Sequence, residues 1–245
     1  MPGPPKPHVP LPLPDTGALD RRLRWRVGPI VVFAGLMALL AGLAAGSLMC
    51  PRRITAGLPD DPDLAAARAR LAGVPVRTGD LRFGSTLFGD VAPDHSFGPS
   101  DQRAVAAAES LVERAAARHA LDARLWAARG ALDLAVHRFA RAERRYRRAL
   151  DLAPHYPEAR LGLGVALALQ ARIAPEPVAR RRLALAAIAQ FAAVGADDPY
   201  ALEALYGRAL MLREADRARE AEEARRAYLA RDPVSPWAAR LRAAE

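Results

Sequence analysis

The chain has 245 residues, of which 51% are hydrophobic, and it carries a formal net charge of +9. This length and apolar content exclude a wholly disordered chain and are sufficient for a folded domain with its own core. The single cysteine, Cys50, excludes an internal disulfide framework, so packing must hold the fold together.

Residues 1–27 are predicted to form a proline-rich cytoplasmic tail that ends in an arginine cluster. Seven prolines occur among residues 1–14, and this composition favours an extended, polyproline-II-like conformation. The tail is either an unstructured leader or a short ligand for a cytoplasmic module.

Residues 28–49 are predicted to form a single transmembrane helix. The run contains 22 residues without a charge, and roughly 33 Å of helix is enough to cross a hydrocarbon core. Basic residues crowd its N-terminal side at Arg21, Arg22, Arg24 and Arg26, which predicts a cytoplasmic N-terminus. We therefore expect a single-pass protein of the bacterial inner membrane whose remaining residues lie outside the cytoplasm.

Other interpretations of this region stay open. Ala44-Ala45-Gly46 offers small residues for signal-peptide cleavage, although the apolar run exceeds the usual signal core of about 7–15 residues. Lipidation of Cys50 is the second interpretation, but Met49 occupies the position where a bacterial lipobox has a small residue. Gly42 and Gly46 lie one turn apart and permit close approach of two spans, as in a homodimer.

Residues 50–100 are predicted to be a mostly irregular linker, with one short helix at 63–72. A linker that lifts the following domain off the membrane is the simplest interpretation. The stretch from Leu81 to Gly89 contains enough apolar residues to dock on the first helices of that domain instead.

Residues 101–245 contain a pattern that recurs three times. Small residues, aromatic residues and a helix-ending proline keep a common spacing in each unit. In the first unit these residues are Trp126, Gly130, Ala142, Tyr146, Ala149 and Pro154; in the second they are Leu163, Gly164, Ala187, Phe191 and Pro199; in the third they are Tyr206, Gly207, Ala221, Tyr228 and Pro233.

The second unit is the longest of the three. Gly164 to Pro199 spans 35 positions, against 24 from Gly130 to Pro154, and we assign the excess to a loop near 173–178. A helix over 101–118, capped by Ser100, is predicted to precede the units. A helix over 236–244 is predicted to follow them, with Ser235 as its N-cap.

This spacing resembles the tetratricopeptide repeat (TPR), a unit of about 34 residues that folds as two antiparallel helices. The resemblance implies an all-α solenoid of about three repeats, in which the residues above pack between helices. It departs from the family at Arg129 and Asp133, where a Leu and an aromatic are usual, and at Arg225, where an aromatic is usual. The competing interpretation is an ordinary Ala-rich helical bundle.

The resemblance also implies a partner-binding groove on the first helix of each repeat. Nine residues are its predicted lining: Ala127, Ala131, Leu134, Leu161, Val165, Leu169, Ala204, Arg208 and Met211. This lining is mostly apolar and suits an apolar or amphipathic helix of a protein partner. A carboxylate clamp built from Lys and Asn is excluded, because the chain has one Lys, Lys6, and no Asn.

Residues 138–148 hold six arginines and one acid, Glu143, on the second helix of the first repeat. A solvated helix face is the simple explanation. A surface for lipid headgroups or an acidic partner is the alternative. The predicted topology argues against nucleic acid.

No catalytic constellation occurs in the sequence. The five histidines lack zinc-site spacing, and there is no phosphate-binding loop or nucleophile elbow. We therefore expect a non-enzyme without metal or cofactor, acting as a membrane-anchored scaffold or adaptor in assembly or maturation of envelope complexes. The alternative is a structural subunit of a stable inner-membrane complex.

Overall fold

A computed structural model of the chain describes residues 57–76, 78–90 and 97–243, all of which belong to the unit Pro51–Glu245. These residues confirm the predicted all-α class. The helices, in chain order, are α1 (Pro62–Leu71), α2 (Pro99–Arg118), α3 (Ala123–Ala135), α4 (Phe139–Leu152), α5 (Pro157–Ile173), α6 (Pro177–Ala192), α7 (Ala201–Glu214), α8 (Ala218–Arg231) and α9 (Pro236–Ala243). Two short strands, β1 (Gly84–Ser85) and β2 (Gly89–Asp90), pair in antiparallel fashion, with Ser85 opposite Gly89.

The predicted membrane span at 28–49 lies outside the described residues, as do Gly42, Gly46 and Cys50. Among the helices that the structure describes, none combines the length and the apolarity that crossing a bilayer requires.

Prolines and short polar caps fix where the helices begin. Proline occupies the first turn of α1, α2, α5 and α6. Backbone N–H groups in the first turn have no acceptor within the helix, so the N–H that proline lacks costs no helical hydrogen bond. Ser235 caps α9 as predicted, because its hydroxyl accepts the Ala238 N–H at 3.1 Å. Ser100 does not cap α2. Gly98 is the N-cap instead, and its N–H donates to the Asp101 carboxylate at 2.7 Å.

The helices form a chain of antiparallel hairpins. Each helix contacts its predecessor and its successor, and α5 also contacts both α3 and α7. Thus α3, α5 and α7, the first helices of three successive hairpins, lie side by side, while α4, α6 and α8 return along the second layer. One continuous apolar core runs through all of them.

Aromatic rings on the second helices fit between glycines on the first helices. A β-carbon added to Gly130 or Gly162 would lie 2.8 Å or 2.2 Å from Cζ of Tyr146, so this ring fills the space between α3 and α5. Phe191 does the same between α5 and α7, where a β-carbon on Gly164 or Gly207 would lie 2.6 Å or 2.8 Å from the ring. Only glycine allows such close approach of helix and ring.

The third hairpin ends the array with an aromatic cluster. Tyr228 of α8 packs edge-on against Tyr206 at a centroid distance of 5.4 Å, and Trp237 of α9 also packs edge-on against Tyr206, at 5.3 Å. The short helix α9 therefore covers the apolar end of the last hairpin.

Trp126 does not fill the crossing at Gly130, which Tyr146 occupies. Its ring is half-buried at the surface, and its Nε1–H donates to the Ala120 carbonyl at 3.0 Å. The Arg129 guanidinium lies over the ring, 4.7 Å from its centroid.

The remaining positions of the repeat pattern are distributed as follows. Ala142, Ala149, Leu163, Ala187 and Ala221 are buried. Pro154 and Pro233 follow helix ends by two residues, whereas Pro199 lies seven residues after the end of α6, just before α7.

The loop predicted near 173–178 is present between α5 and α6, but it does not contain the extra length of the second unit. The turn between α5 and α6 is only three residues, 174–176. Instead α5 has 17 residues against 13 in α3, α6 has 16 against 14 in α4, and a longer loop follows α6. Helical propensity of the Ala- and Leu-rich sequence explains why the insertion extends the helices.

Candidate functional site

The predicted groove residues are largely buried. Fully or nearly fully buried are Ala127, Ala131, Leu134, Leu161, Val165, Leu169, Ala204 and Met211, and Arg208 is half-buried. The eight apolar side chains belong to the continuous core, whereas the sequence had predicted a groove open to solvent.

One cause is a stretch of the predicted linker, residues 78–88, which we call the docked segment. Its apolar side chains Leu81, Phe83, Leu87 and Phe88 are at most 5% exposed and belong to the same core as the predicted groove. The rest of the predicted linker contains α1, which packs against α2.

The start of the docked segment lies at the C-terminal ends of α5 and α7. Asp80 forms an ion pair with Arg172 of α5, and Arg172 also pairs with Glu214 of α7 at 2.6 Å. Partial burial acts to lower the pKa of Arg172, but the hydrogen bonds to Glu214 and Asp80 outweigh it and raise the pKa.

The middle of the segment reaches the last hairpin through Arg82, which is 9% exposed. Its Nε lies 3.2 Å from the Glu203 carboxylate, and its Nη1 lies 2.9 Å from Asp232 Oδ2. The same Nη1 donates to the Tyr228 hydroxyl at 2.8 Å. Burial acts to raise the pKa of Asp232, but hydrogen bonds from Ser235 and Tyr228 and the charge of Arg82 lower it.

The end of the segment binds the N-terminal end of α5 through Glu158, which is 1% exposed. The Thr86 N–H donates to Glu158 Oε1 at 2.9 Å and its hydroxyl to Oε2 at 2.9 Å. Tyr156 adds a third hydrogen bond at 2.8 Å, and Tyr200 of the α7 N-cap a fourth at 3.3 Å. Burial raises the pKa of Glu158 against these stabilising hydrogen bonds.

These contacts give the docked segment a direction. From Asp80 to Thr86 the chain passes from the C-terminal end of α5 at Arg172 to its N-terminal end at Glu158. Residues 79–80 and 86–88 form turns, and between them residues 81–85 pass from the C-terminal to the N-terminal end of α5, antiparallel to it.

The arginine-rich helix α4 is largely neutralised within the fold. Arg141 and Arg145 approach the buried Asp133 at 2.6 Å and 3.2 Å, and Arg138 pairs with Glu109 at 2.9 Å. Burial raises the pKa of Asp133, although Arg145 and Arg141 act against it. Asp133, which departs from the TPR pattern, thus links α3 to α4 through its ion pairs with Arg141 and Arg145.

A surface pocket of about 200 Å³ lies between α2 and α3. Its polar lining consists of the ion pair between Glu113 and Arg129, the Trp126 edge and His119. Within the described residues, no group of three His, Cys, Asp or Glu side chains is arranged to hold a metal ion.

The sequence did not predict the role of three residues that hold the docked segment in place: Arg82, Thr86 and Glu158. The apolar residues between Leu81 and Phe88 were the available signal, and they indicated docking without indicating the target.

The chain matches no protein-family model, no curated protein and no solved structure.

Proposed function

We propose that this chain is a membrane-anchored TPR-type repeat protein that binds other proteins of the bacterial cell envelope. It acts as a scaffold or adaptor in assembly or maturation of envelope complexes, with the anchor at 28–49 and the repeats outside the cytoplasm. It carries out no chemistry of its own.

The repeat assignment rests on the two equivalent ring-and-glycine contacts, Tyr146 with Gly130 and Gly162, and Phe191 with Gly164 and Gly207. A repeated turn adds support. Arg138 N–H donates to the Asp133 carbonyl and Arg217 N–H to the Leu212 carbonyl, each across five residues at the end of a first helix. A bundle without repeats has no reason to reproduce both features.

The binding function rests on one observation, the docked segment that lies along α5 and α7. Apolar side chains, a buried arginine and a backbone N–H bound to Glu158 hold this segment on the first-helix surface. A surface that holds a segment of its own chain has the chemistry to hold a similar segment of another.

A peptide in solution tests this binding function. In the full chain, Arg82→Glu together with Phe83→Ala should release the docked segment, because it places a charge beside Glu203 and Asp232. A fluorescent peptide with the sequence of residues 78–88 should then bind the variant in an anisotropy titration and should not bind the wild-type chain. Circular dichroism confirms that the variant keeps its helices. The proposal is refuted if the variant keeps its helices and releases the docked segment but does not bind the peptide.

The predicted topology has a separate test. A reporter that is active only outside the cytoplasm should work when fused after Glu245. Activity of a cytoplasmic reporter at the same position would overturn both the localisation and the choice of envelope partners.

Burial of the predicted groove favours a second candidate, a structural subunit of a stable inner-membrane complex. If the docked segment occupies the first-helix surface permanently, partners must use the outer surfaces of the hairpins. Copurification after gentle detergent extraction separates the two candidates. A stoichiometric partner that survives high salt supports the subunit, whereas salt-labile partners support the adaptor.

A further inference from the structure

The α5–α6 hairpin projects beyond its neighbours. Helix α6 has 14 residues before Phe191, against 7 before Tyr146 in α4 and 7 before Arg225, the equivalent position in α8. Seven additional residues extend the helix by roughly 10 Å. The tip of this hairpin consequently has no adjacent hairpin of equal length to cover it.

The exposed face of this tip is apolar and cationic at once. Val178, Arg181, Arg182 and Leu185 follow the spacing i, i+3, i+4, i+7, which places them on one side of α6. Val178 is 83% exposed and Leu185 39%, and Ile173 at the end of α5 is 68% exposed. We call these five residues the tip face.

The cations of the tip face are not neutralised inside the fold. Within the part of the chain that the structure describes, neither Arg181 nor Arg182 forms an ion pair, and α6 itself contains no acidic residue. Arg180 donates to the Ala174 carbonyl at 3.0 Å, so it closes the turn without meeting a carboxylate. The nearest acid in sequence is the exposed Glu176.

The other two second helices are different. At α4, the N-cap Arg138 and the helix residues Arg141, Arg145 and Arg147 pair with carboxylates, whereas Arg144 has no ion pair within the described residues. In α8, Arg219 pairs with Glu223 and Arg226 with Glu222. Only the projecting helix among these three combines unpaired arginines with exposed large apolar side chains.

We propose that the tip face is a docking surface for the headgroup region of an anionic lipid bilayer. Arginine guanidinium groups bind lipid phosphates, and their aliphatic stems lie along the interface while the head groups stay hydrated. Ile173, Val178 and Leu185 enter the boundary between headgroups and acyl chains, as the apolar side of an interfacial helix does. Two arginines and three aliphatic side chains without a ring or a pocket suit a fluid surface better than a protein hot spot.

This proposal does not depend on the repeat assignment or on a protein partner. An anchor at 28–49 would raise the local concentration of bilayer around the tip, but the charges and the exposed apolar side chains stand without it.

The test uses the full chain with Cys50→Ser and Val178→Cys, labelled with a polarity-sensitive dye and reconstituted with vesicles. The dye should shift to an apolar environment with an equal mixture of phosphatidylcholine and phosphatidylglycerol, and should remain hydrated with phosphatidylcholine alone. High salt should reverse the shift. The same dye at Val234→Cys, another apolar side chain that is 89% exposed, should remain hydrated throughout.

Charge variants supply the matched control. Arg181→Gln with Arg182→Gln should lower the ratio of lipid-embedded to hydrated dye roughly 30-fold, because each arginine contributes about fivefold to binding at an anionic surface. Arg219→Gln with Arg226→Gln removes the same net charge from α8 and should leave the ratio unchanged. A dye that stays hydrated in anionic vesicles overturns the proposal and directs attention to an acidic protein partner. An equal effect of both charge pairs overturns it too, since attraction would then be general.

Discussion

The Glu158 carboxylate receives both hydrogen-bond donors of Thr86, the backbone N–H and the hydroxyl, at 2.9 Å each. The two residues are 72 positions apart, and neither oxygen of the carboxylate reaches solvent to any extent. The carboxylate can be buried here only because the Tyr156 and Tyr200 hydroxyls donate further hydrogen bonds to it. Thr86 therefore supplies two of the four donating groups on which the burial of Glu158 depends.

Removing the Thr86 hydroxyl should destabilise the fold. Thr86→Val keeps the shape and the backbone N–H but takes one donor from a buried carboxylate, at a cost of about 1–3 kcal/mol. Urea unfolding of the full chain, followed by circular dichroism, measures this loss. Thr86→Ser retains the hydroxyl and should remain within about 1 kcal/mol of wild type. Equal midpoints for Val and Ser would show that the hydroxyl contributes nothing.

Glu158 should also make stability depend on pH. Burial raises its pKa above the unfolded value of 4.5, so the folded chain binds this proton more tightly than the unfolded chain does. The stability that comes from this tighter proton binding is fully present below pH 4.5, and it is lost as the pH rises through the pKa of Glu158 in the folded chain. Glu158→Gln stays neutral, so its stability relative to wild type should increase with pH across this window. Urea midpoints of both chains over the range provide the measurement, and parallel curves would contradict the assignment.

Arg82 should be among the least replaceable side chains of the docked segment. Arg82→Ala leaves the carboxylates of Glu203 and Asp232 without their cation in a site where both are largely buried. Breaking a buried pair in this way costs about 3–5 kcal/mol. A matched control is Arg219→Ala, which removes an arginine paired with Glu223 at the surface and should cost less than about 1 kcal/mol. Similar thermal midpoints for the two variants would mean that the segment is only loosely docked.

The contact between Tyr146 and Gly162 predicts a coupled pair of substitutions. Tyr146→Ala should cost roughly 3–5 kcal/mol as a large-to-small core change. Gly162→Ala should also destabilise, although alanine favours helix by about 1 kcal/mol, because its β-carbon would lie 2.2 Å from the ring. In the Tyr146→Ala background the same change should become neutral or stabilising. Additive effects in this double-mutant cycle would contradict the packing described.

The sequence was sufficient to predict the helices and the main ring-and-glycine contacts because these depend on local spacing. Gly130 and Tyr146 lie 16 positions apart within one hairpin, so their spacing is visible in a single unit. Gly162 was not predicted to pack against a ring, because Leu163 and Gly164 match the repeat pattern better. The structure assigns one glycine of α5 to each neighbour, Gly162 to Tyr146 and Gly164 to Phe191.

The docked segment could not be predicted in the same way. Its contacts join residues 72 to 150 positions apart, and no periodicity links Arg82 to Asp232 or Thr86 to Glu158. The consequence for the predicted groove is concrete. Val165 is fully buried, so Val165→Glu should now unfold the domain, whereas an open groove would have tolerated it.

The separation of Arg82 from Asp232 by 150 residues also imposes an order on synthesis. A ribosome that adds about 5–20 residues per second needs roughly 8–30 s to pass from the first residue to the second. Arg82 emerges long before Tyr228 and Asp232 exist to bind it. The last hairpin must therefore form before the docked segment can complete its contacts. Until then, the apolar residues of the docked segment need protection from aggregation. The domain is complete only when the α7–α8 hairpin has emerged from the ribosome, and not when the first helices have emerged.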